Sequence, residues 1–269
     1  MKLKLLGLAV SALMLASCGK KEGDTAATAP AAEEEKVLNV YNWSDYIAPG
    51  TLAKFEKETG IKVTYDVFDS NEVLETKLVT GNTGYDVVVP SLTFLARQIQ
   101  AGVFMPLDKT KIPNLANMDP EIQANIAKLD AGNTHSVNYL WGTTGIGYNV
   151  KKIKEVFGDA APVDSWALVF DPANLAKLKD CGVYFLDTPS EIIPPVLNYL
   201  GEEPNSFDPA VIAKAEARLK ELRPSITQFH SSEYINALAN GDACVAVGWS
   251  GDIFQAATRA EEANNGVEI

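Results

Sequence analysis

Four short segments gather acids, aromatic rings and hydroxyls more densely than a turn requires: "WSDY" at 43–46, "SLT" at 91–93, "DTPSE" at 187–191 and "WSGD" at 249–252. They supply Asp45, Glu191 and Asp252, the indoles of Trp43 and Trp249, the phenol of Tyr46, and the hydroxyls of Ser44 and Ser91. None of the four contains a lysine or an arginine. Taken singly, each has a plain structural explanation. Asp45 caps a turn, Ser91 caps a helix, Glu191 and Asp252 sit in first turns where the macrodipole favours a carboxylate, and Trp249 fills a core. Taken together, they repeat one chemistry at four places. That chemistry suits a cationic, partly apolar ligand. An ammonium group brings three donors and needs carboxylate or carbonyl acceptors. Aromatic faces attract the charge at roughly 0.5–2 kcal/mol per contact and also cover methylene groups. Separated carboxylates with indoles between them fit an aliphatic chain carrying an amine at each end. An anion would instead need Arg, Lys or bare helix N-termini, and acids already occupy two of those first turns.

Enzymatic readings find less support. The only histidines are His135 and His230, and His230 in "QFHSSEY" has serine neighbours without the G-x-S-x-G elbow of a hydrolase. A Walker A motif is absent, and "GTTGIGYN" lacks the G-x-G-x-x-G spacing of a dinucleotide site. Two carboxylates facing each other across a cleft also match a glycosidase pair, but no other sugar-binding signal accompanies them. We therefore assign no catalytic residue, no metal ligand and no cofactor.

In open α/β sheets, ligand sites lie beyond the carboxyl ends of strands, so strands must precede the four segments. The hydrophobic periodicity supplies them. "VLNVYN" (37–42), "IKVTYDVF" (61–68) and "YDVVVP" (85–90) read as strands, the last apolar enough for a central strand covered on both faces. Helices alternate with them: one from about Thr51 to a stop at Gly60, one opened by a capping box at Asp69 and Glu72 and closed at Gly81, and one capped by Ser91. Further on, "SVNYLWGTTGIGYNV" (136–150) reads as two extended runs joined through Gly142 and Gly145. Strands follow at 182–186 and 244–248, with helices at 172–179, 190–200, 208–222, 231–240 and 251–263. Repeated β-α-β units with short links predict mostly parallel sheets flanked by helices. The chain crosses between two halves near residues 137–142. Its last residues, "NNGVEI", read as the opening of a further strand, as in a chain that continues.

The N-terminus is separate from the fold. Lys2 and Lys4 precede the apolar run "LLGLAVSALML", too short to span a bilayer, so residues 1–17 read as a secretory signal. "LASC" ends that run and resembles the lipobox of bacterial lipoproteins, which makes Cys18 a lipidation site. Residues 18–36, rich in Ala, Lys and Glu without a large apolar residue, predict a flexible tether. Without Lys2 and Lys4 the 23 basic residues fall to 21 against 35 acidic ones, a formal charge of -14. That surface repels nucleic acid. Once Cys18 is set aside, Cys181 and Cys244 form an even pair in an exported chain, and an oxidising compartment favours a disulfide between them. Two separate buried thiols are the other reading.

Longer stretches carry a resemblance. "YNWSDYIAPGTLAKFEKETGIKVTYDVFDSNEVLETKL", "YDVVVPS", "WGTTGIGYN", "FHSSEYINALANGD" and "VAVGWSGDIFQA" are similar to the polyamine-binding proteins of bacterial ABC importers, the putrescine-binding branch above all. The resemblance implies a two-lobed periplasmic-binding-protein fold of the α/β class, with a ligand cleft between lobes at 37–138 and 139–262. Residues 263–269 would begin a return crossing, and a further segment absent here would complete the first lobe and its site. It implies capture of putrescine, or next spermidine, without catalysis. The protein would act as a monomer in the periplasm, tethered by lipid, and deliver its ligand to an ABC permease and ATPase in the inner membrane. Trp43, Ser44, Asp45, Tyr46 and Ser91 would form the first lobe's share of the site. Glu191, Trp249 and Asp252 would form the second lobe's share, with Cys181 and Cys244 disulfide-bonded. A sensory partner of a receptor on the same fold is the alternative. Gly19 after Cys18 favours outer-membrane sorting, whereas proximity to a permease favours the inner membrane.

Overall fold

An alternating run that ends in three consecutive buried residues, Tyr41, Asn42 and Trp43, makes β1 (Val37–Trp43) the middle strand of the first sheet. This computed structural model describes residues 35–269. The predicted signal peptide, the Cys18 lipidation site and nearly all of the tether lie outside them. α1 (Thr51–Thr59) stops at Gly60, whose φ of 70° only glycine adopts at little cost and whose N–H returns to the Glu56 carbonyl. β2 (Lys62–Phe68) then pairs in parallel with β1 along its whole length. α2 (Asn71–Val79) is capped by Ser70, whose Oγ accepts from Val73 N at 3.2 Å. The predicted cap, Asp69, lies one residue too early. Its carboxylate is taken by the hydroxyls of Ser44 and Ser232 instead.

β3 (Val87–Val88) is a second departure. The run "VVVP" reads as a central strand, yet β3 pairs only with β1, lies at the sheet edge in the order β2-β1-β3, and leaves Val87 46% exposed. Apolar content reports burial tendency and not which neighbour a strand acquires. After β3 come α3 (Leu92–Gln100) and α4 (Pro120–Ile126), the latter opened by Asp119, which accepts from the N–H groups of Glu121 and Ile122. The "DP" pair at 119–120 marks this start in the sequence.

The chain then leaves the first sheet through a polar clamp. Asp130 is buried and accepts from the backbone N–H groups of Thr134, His135 and Ser136 and from the Ser136 hydroxyl, all at 2.9–3.1 Å. Burial works against its charge, but the donors from His135, Ser136 and Thr134 outweigh it and hold the carboxyl below the usual range. Of the two extended runs expected over 136–150, only β4 (Thr144–Tyr148) is a strand, and it is antiparallel to its neighbour.

The rest of the second half comprises α5 (Val150–Phe157), α6 (Ala167–Phe170), α7 (Pro172–Leu178), β5 (Val183–Phe185), α8 (Pro189–Tyr199), α9 (Pro209–Leu222), β6 (Gln228–Phe229), α10 (Glu233–Ala239), β7 (Val245–Trp249) and α11 (Ser250–Ala263). α5, α6 and β6 were not expected. α5 is announced by Asn149, whose Oδ1 accepts from Lys152 N at 3.1 Å. The second sheet runs β4-β7-β5-β6 with β5 parallel to both neighbours, so it is mixed only through β4. Because β5 and β7 start in register, Val183 opposite Val245, Cys181 and Cys244 stand side by side just before them. They are disulfide-bonded, with Cα atoms 5.5 Å apart.

Residues 264–269 form no strand. The Glu268 carbonyl accepts from Val150 N and the Gly266 carbonyl from Lys151 Nζ, so this stretch lies against the start of α5. Two cores result. The larger surrounds β5 and β7. The smaller collects Tyr41, Trp43, Phe68, Leu74 and Leu78, and Trp249 packs against both.

Candidate functional site

The carboxyl ends of β1 and β7 face each other, and each strand ends in a tryptophan. Trp43 is fixed by its indole N–H, which donates to the Val89 carbonyl at 2.8 Å. Its ring meets Phe68 at 4.7 Å, Trp249 edge-on at 5.3 Å and Tyr46 at 6.0 Å between centroids, all within the range of favourable aromatic pairs. The chain then turns sharply. Asp45 takes the left-handed conformation, φ 64°, which Asp tolerates better than most side chains.

That turn is held from the other half. The Asp45 carboxylate pairs with Arg259 of α11 at 2.5 Å, and Gln255 Nε2 donates to the Asp45 carbonyl at 3.1 Å. The Tyr139 hydroxyl donates to the Tyr46 carbonyl. Ser44 sends its hydroxyl to Asp69, which also accepts from Ser232 Oγ across the cleft at 3.1 Å. The four segments contain no cation, but one reaches them from outside. Arg259 lies two turns beyond Asp252 on the same helix and reaches Asp45 from outside the four segments.

Asp252, in the first turn of α11, is only 2% exposed. Its Oδ2 accepts from the Tyr234 hydroxyl at 2.5 Å. Its Oδ1 is buried and makes no hydrogen bond with the described residues. Burial pushes the carboxyl up to about 6, with the charge of Asp45 adding to the rise, while the hydroxyls of Tyr234 and Tyr46 and the Arg259 cation pull the other way. The Tyr46 phenol, beside the same carboxylate, is driven far above its ordinary value by burial first and then by Asp252, Glu191 and Asp45. It stays a neutral hydroxyl at any physiological pH.

Glu191 opens α8, and its Oε2 accepts from the Thr144 hydroxyl. Ser91 is at the N-cap of α3 but does not cap it with its side chain. Its Oγ accepts from Asn71 Nδ2 at 3.0 Å and its N–H donates to Asn71 Oδ1 at 2.9 Å.

One cleft contains Trp43, Asp45, Tyr46, Ser91, Glu191, Trp249 and Asp252 in its walls, and Ser44 alone of the predicted set is not among them. The cleft continues along the face of the first sheet past Val40, Val63 and Tyr65. Chemically, this is a cleft wall with one buried, unpartnered carboxylate oxygen, a neutral phenol beside that carboxylate, and two indoles in the same walls. Sequence reasoning missed Arg259, Tyr234, Thr144, Asn71 and Asp69. Arg259 was within reach of a helical-face argument, since Asp252, Gln255 and Arg259 recur at i, i+3 and i+7.

Residues 51–269 match the family described as bacterial extracellular solute-binding protein. The chain is 58% identical to the putrescine-binding periplasmic protein PotF of Escherichia coli (strain K12), over 98% of this chain and 69% of the relative. It is 57% identical to the putrescine-binding periplasmic protein SpuD of Pseudomonas aeruginosa (strain UCBPP-PA14), over 99% of this chain and 71% of that one. Among solved structures, a putative spermidine/putrescine ABC transporter from Listeria monocytogenes superposes with a TM-score of 0.74 at 35% identity, covering 84% of this chain and 66% of the other.

Proposed function

Because the chain belongs to the bacterial extracellular solute-binding protein family, we propose that it captures a polyamine, putrescine first and spermidine next, for an ABC permease and its ATPase. The observation that carries this reading is the Asp252 carboxylate. It is buried, one oxygen is occupied and the other is left without a partner, in a cleft whose walls also include the indoles of Trp43 and Trp249. An ammonium group arriving there donates a charge-assisted hydrogen bond to Oδ1 and offsets the cost of burying the charge. Trp43 and Trp249 cover the methylene chain, and Tyr46 adds a neutral hydroxyl. Glu191 offers a second acceptor, already oriented by Thr144. Ser91, held by Asn71, completes the first half's contribution.

Asp45 contributes differently. With its carboxylate on Arg259, it joins the two walls across the cleft rather than standing free for the ligand. The same proposal includes export through residues 1–17 and anchoring at Cys18. Among the described residues no helix is long and apolar enough to cross a membrane.

Capture rather than turnover fits the placement of His230. Its Nδ1 accepts from the backbone N–H groups of Ser232 and Glu233, so the ring caps α10 and is not paired with an acid as an active base would be.

Calorimetry on the protein with putrescine, spermidine, cadaverine and 1,4-butanediol tests the reading. Micromolar or tighter diamine binding, about 8 kcal/mol, is expected, with none for the diol. Asp252→Asn and Trp43→Ala should each weaken it at least tenfold. Absence of diamine binding by the unmodified protein overturns the proposal.

A further inference from the structure

Tyr234 has no place in the ligand-facing wall, yet one hydroxyl of this residue holds two parts of it. The side chain comes from α10, is fully buried, and inserts between β7 and α11. Its oxygen accepts from the backbone N–H of Trp249 at 3.1 Å and donates to Asp252 Oδ2 at 2.5 Å. The direction of this chain is forced. A backbone N–H can only donate, so the phenolic hydrogen points to the carboxylate. Burial and the adjacent Asp252 also raise the phenol far above its ordinary value, so it keeps that hydrogen.

The packing presses the buried ring against β7. A Cβ added at Gly248 would lie 2.4 Å from Tyr234 Cε2 and 2.7 Å from Cζ. Glycine at this point of β7 lets the strand pass directly over the phenol, one residue before Trp249. With Oδ2 engaged, Oδ1 is the oxygen of Asp252, a residue of the cleft wall, that is left without a partner among the described residues.

We propose that Tyr234 is the positioning residue of the amine site, presenting a single oxygen of Asp252 to the ligand and fixing the backbone that carries Trp249. This rests on the amine-binding reading above. Without the hydroxyl, the Trp249 N–H loses its partner and Asp252 becomes free to rotate and to take up a proton. The other groups facing that carboxylate are Tyr46 and Asp45 from the turn after β1 and Arg259 from α11, with Glu191 from α8 acting on the neighbouring Tyr46. They remain in the variant, so a change in its titration reports on Tyr234.

The experiment measures putrescine affinity of the full chain by calorimetry from pH 5 to 8, for wild type, Tyr234→Phe and Gly248→Ala, each checked for folding by thermal unfolding. In parallel, the Asp252 carboxyl carbon is titrated by NMR without ligand. Wild-type affinity should be flat at high pH and fall below about 6, where Asp252 protonates. Tyr234→Phe should weaken binding by about tenfold or more, the scale of a hydrogen bond to a charged group, and move the bend upward by roughly one pH unit. Gly248→Ala, which displaces the ring, should move it in the same direction and serves as the test should Tyr234→Phe not fold. Unchanged affinity, or weakening uniform across pH, overturns the proposal. Should wild type bind no putrescine, the functional reading fails. The ligand-free titration then decides separately: an Asp252 titration unmoved by the variants overturns the role assigned to Tyr234.

Discussion

The two sheets of this molecule solve the same problem with unequal means. Around the second sheet, Val183, Phe185, Val245, Ala246 and Val247 are all completely buried, and a disulfide joins the starts of β5 and β7. In the first, the buried set is five residues, mostly aromatic, while Val67 and Val87 are 54% and 46% exposed. The site inherits the asymmetry. Asp252 and Trp249 stand on the well-packed sheet and are fixed from within it by Tyr234. Ser44, Asp45 and Tyr46 stand on a turn that bonds its own sheet through Ser44 N–H to the Phe68 carbonyl, while Asp45 and Tyr46 are held by Tyr139, Gln255 and Arg259, none of which belongs to the first sheet. One wall is preorganised by its own core. The other is held by contacts made across the cleft.

The largest expected effect tests the packing difference itself. Phe185→Ala removes a fully buried ring from the second core and should cost about 3–5 kcal/mol of stability. Val67→Ala on the first sheet should cost less than about 0.5 kcal/mol, as for other exposed positions. Urea unfolding of both variants measures this, and comparable losses would remove the basis of the comparison.

The next effect concerns what the well-packed wall sacrifices for binding. The Asp252 carboxyl titrates at about 6 in the folded protein against an ordinary 3.8, so folding favours its protonated form. The stability this contributes is fully present below about 3.8 and is lost as pH rises through about 6. At pH 7 to 8 a charged, ligand-free Asp252 therefore opposes folding by about 3 kcal/mol at most. Asp252→Asn should stabilise the ligand-free protein by up to that amount at pH 8, with little change at pH 4, while it loses the ligand. Denaturant unfolding at the two pH values checks the sign. A variant less stable than wild type at pH 8 contradicts it.

How much of this was legible in the sequence follows the same division. Short apolar runs marked β1, β2, β5 and β7, although burial alternates along part of β2 and not along β7, which is buried up to its last residue. Capping chemistry marks most helices in the sequence, though Ser70 and not Asp69 caps α2, and Asn149 alone announces α5. The cleft-lining residues were legible because acids and aromatics follow strand ends as consecutive residues. Their supports were not. Tyr234 reaches Asp252 across 18 residues and Arg259 reaches Asp45 across 214, and no local pattern records a contact made only after two sheets have formed. Edge and centre were likewise unreadable for β3, since the run "VVVP" is equally apolar in either place.

The smallest effect is the sharpest test of the second wall. Asp45 and Arg259 are each about one-third exposed, so solvent screens their attraction, and an isolated surface pair is worth about 0.5–1 kcal/mol or less. Global stability should hardly respond to Asp45→Asn or Arg259→Ala. Binding should, because the pair lies across the cleft and joins a turn that its own sheet leaves half-exposed. Each single variant should weaken putrescine binding a few-fold, and the double variant should weaken it no more than either alone, the signature of residues acting through each other. Raising salt should weaken wild type towards the variants, since screening acts on exposed charges. The corresponding cycle on the well-packed wall, Tyr234→Phe with Asp252→Asn, should show the larger coupling and little salt dependence. If the Asp45–Arg259 coupling proves larger and insensitive to salt, the wall held from across the cleft is the more rigid of the two, and the assignment of which half preorganises the site has to be reversed.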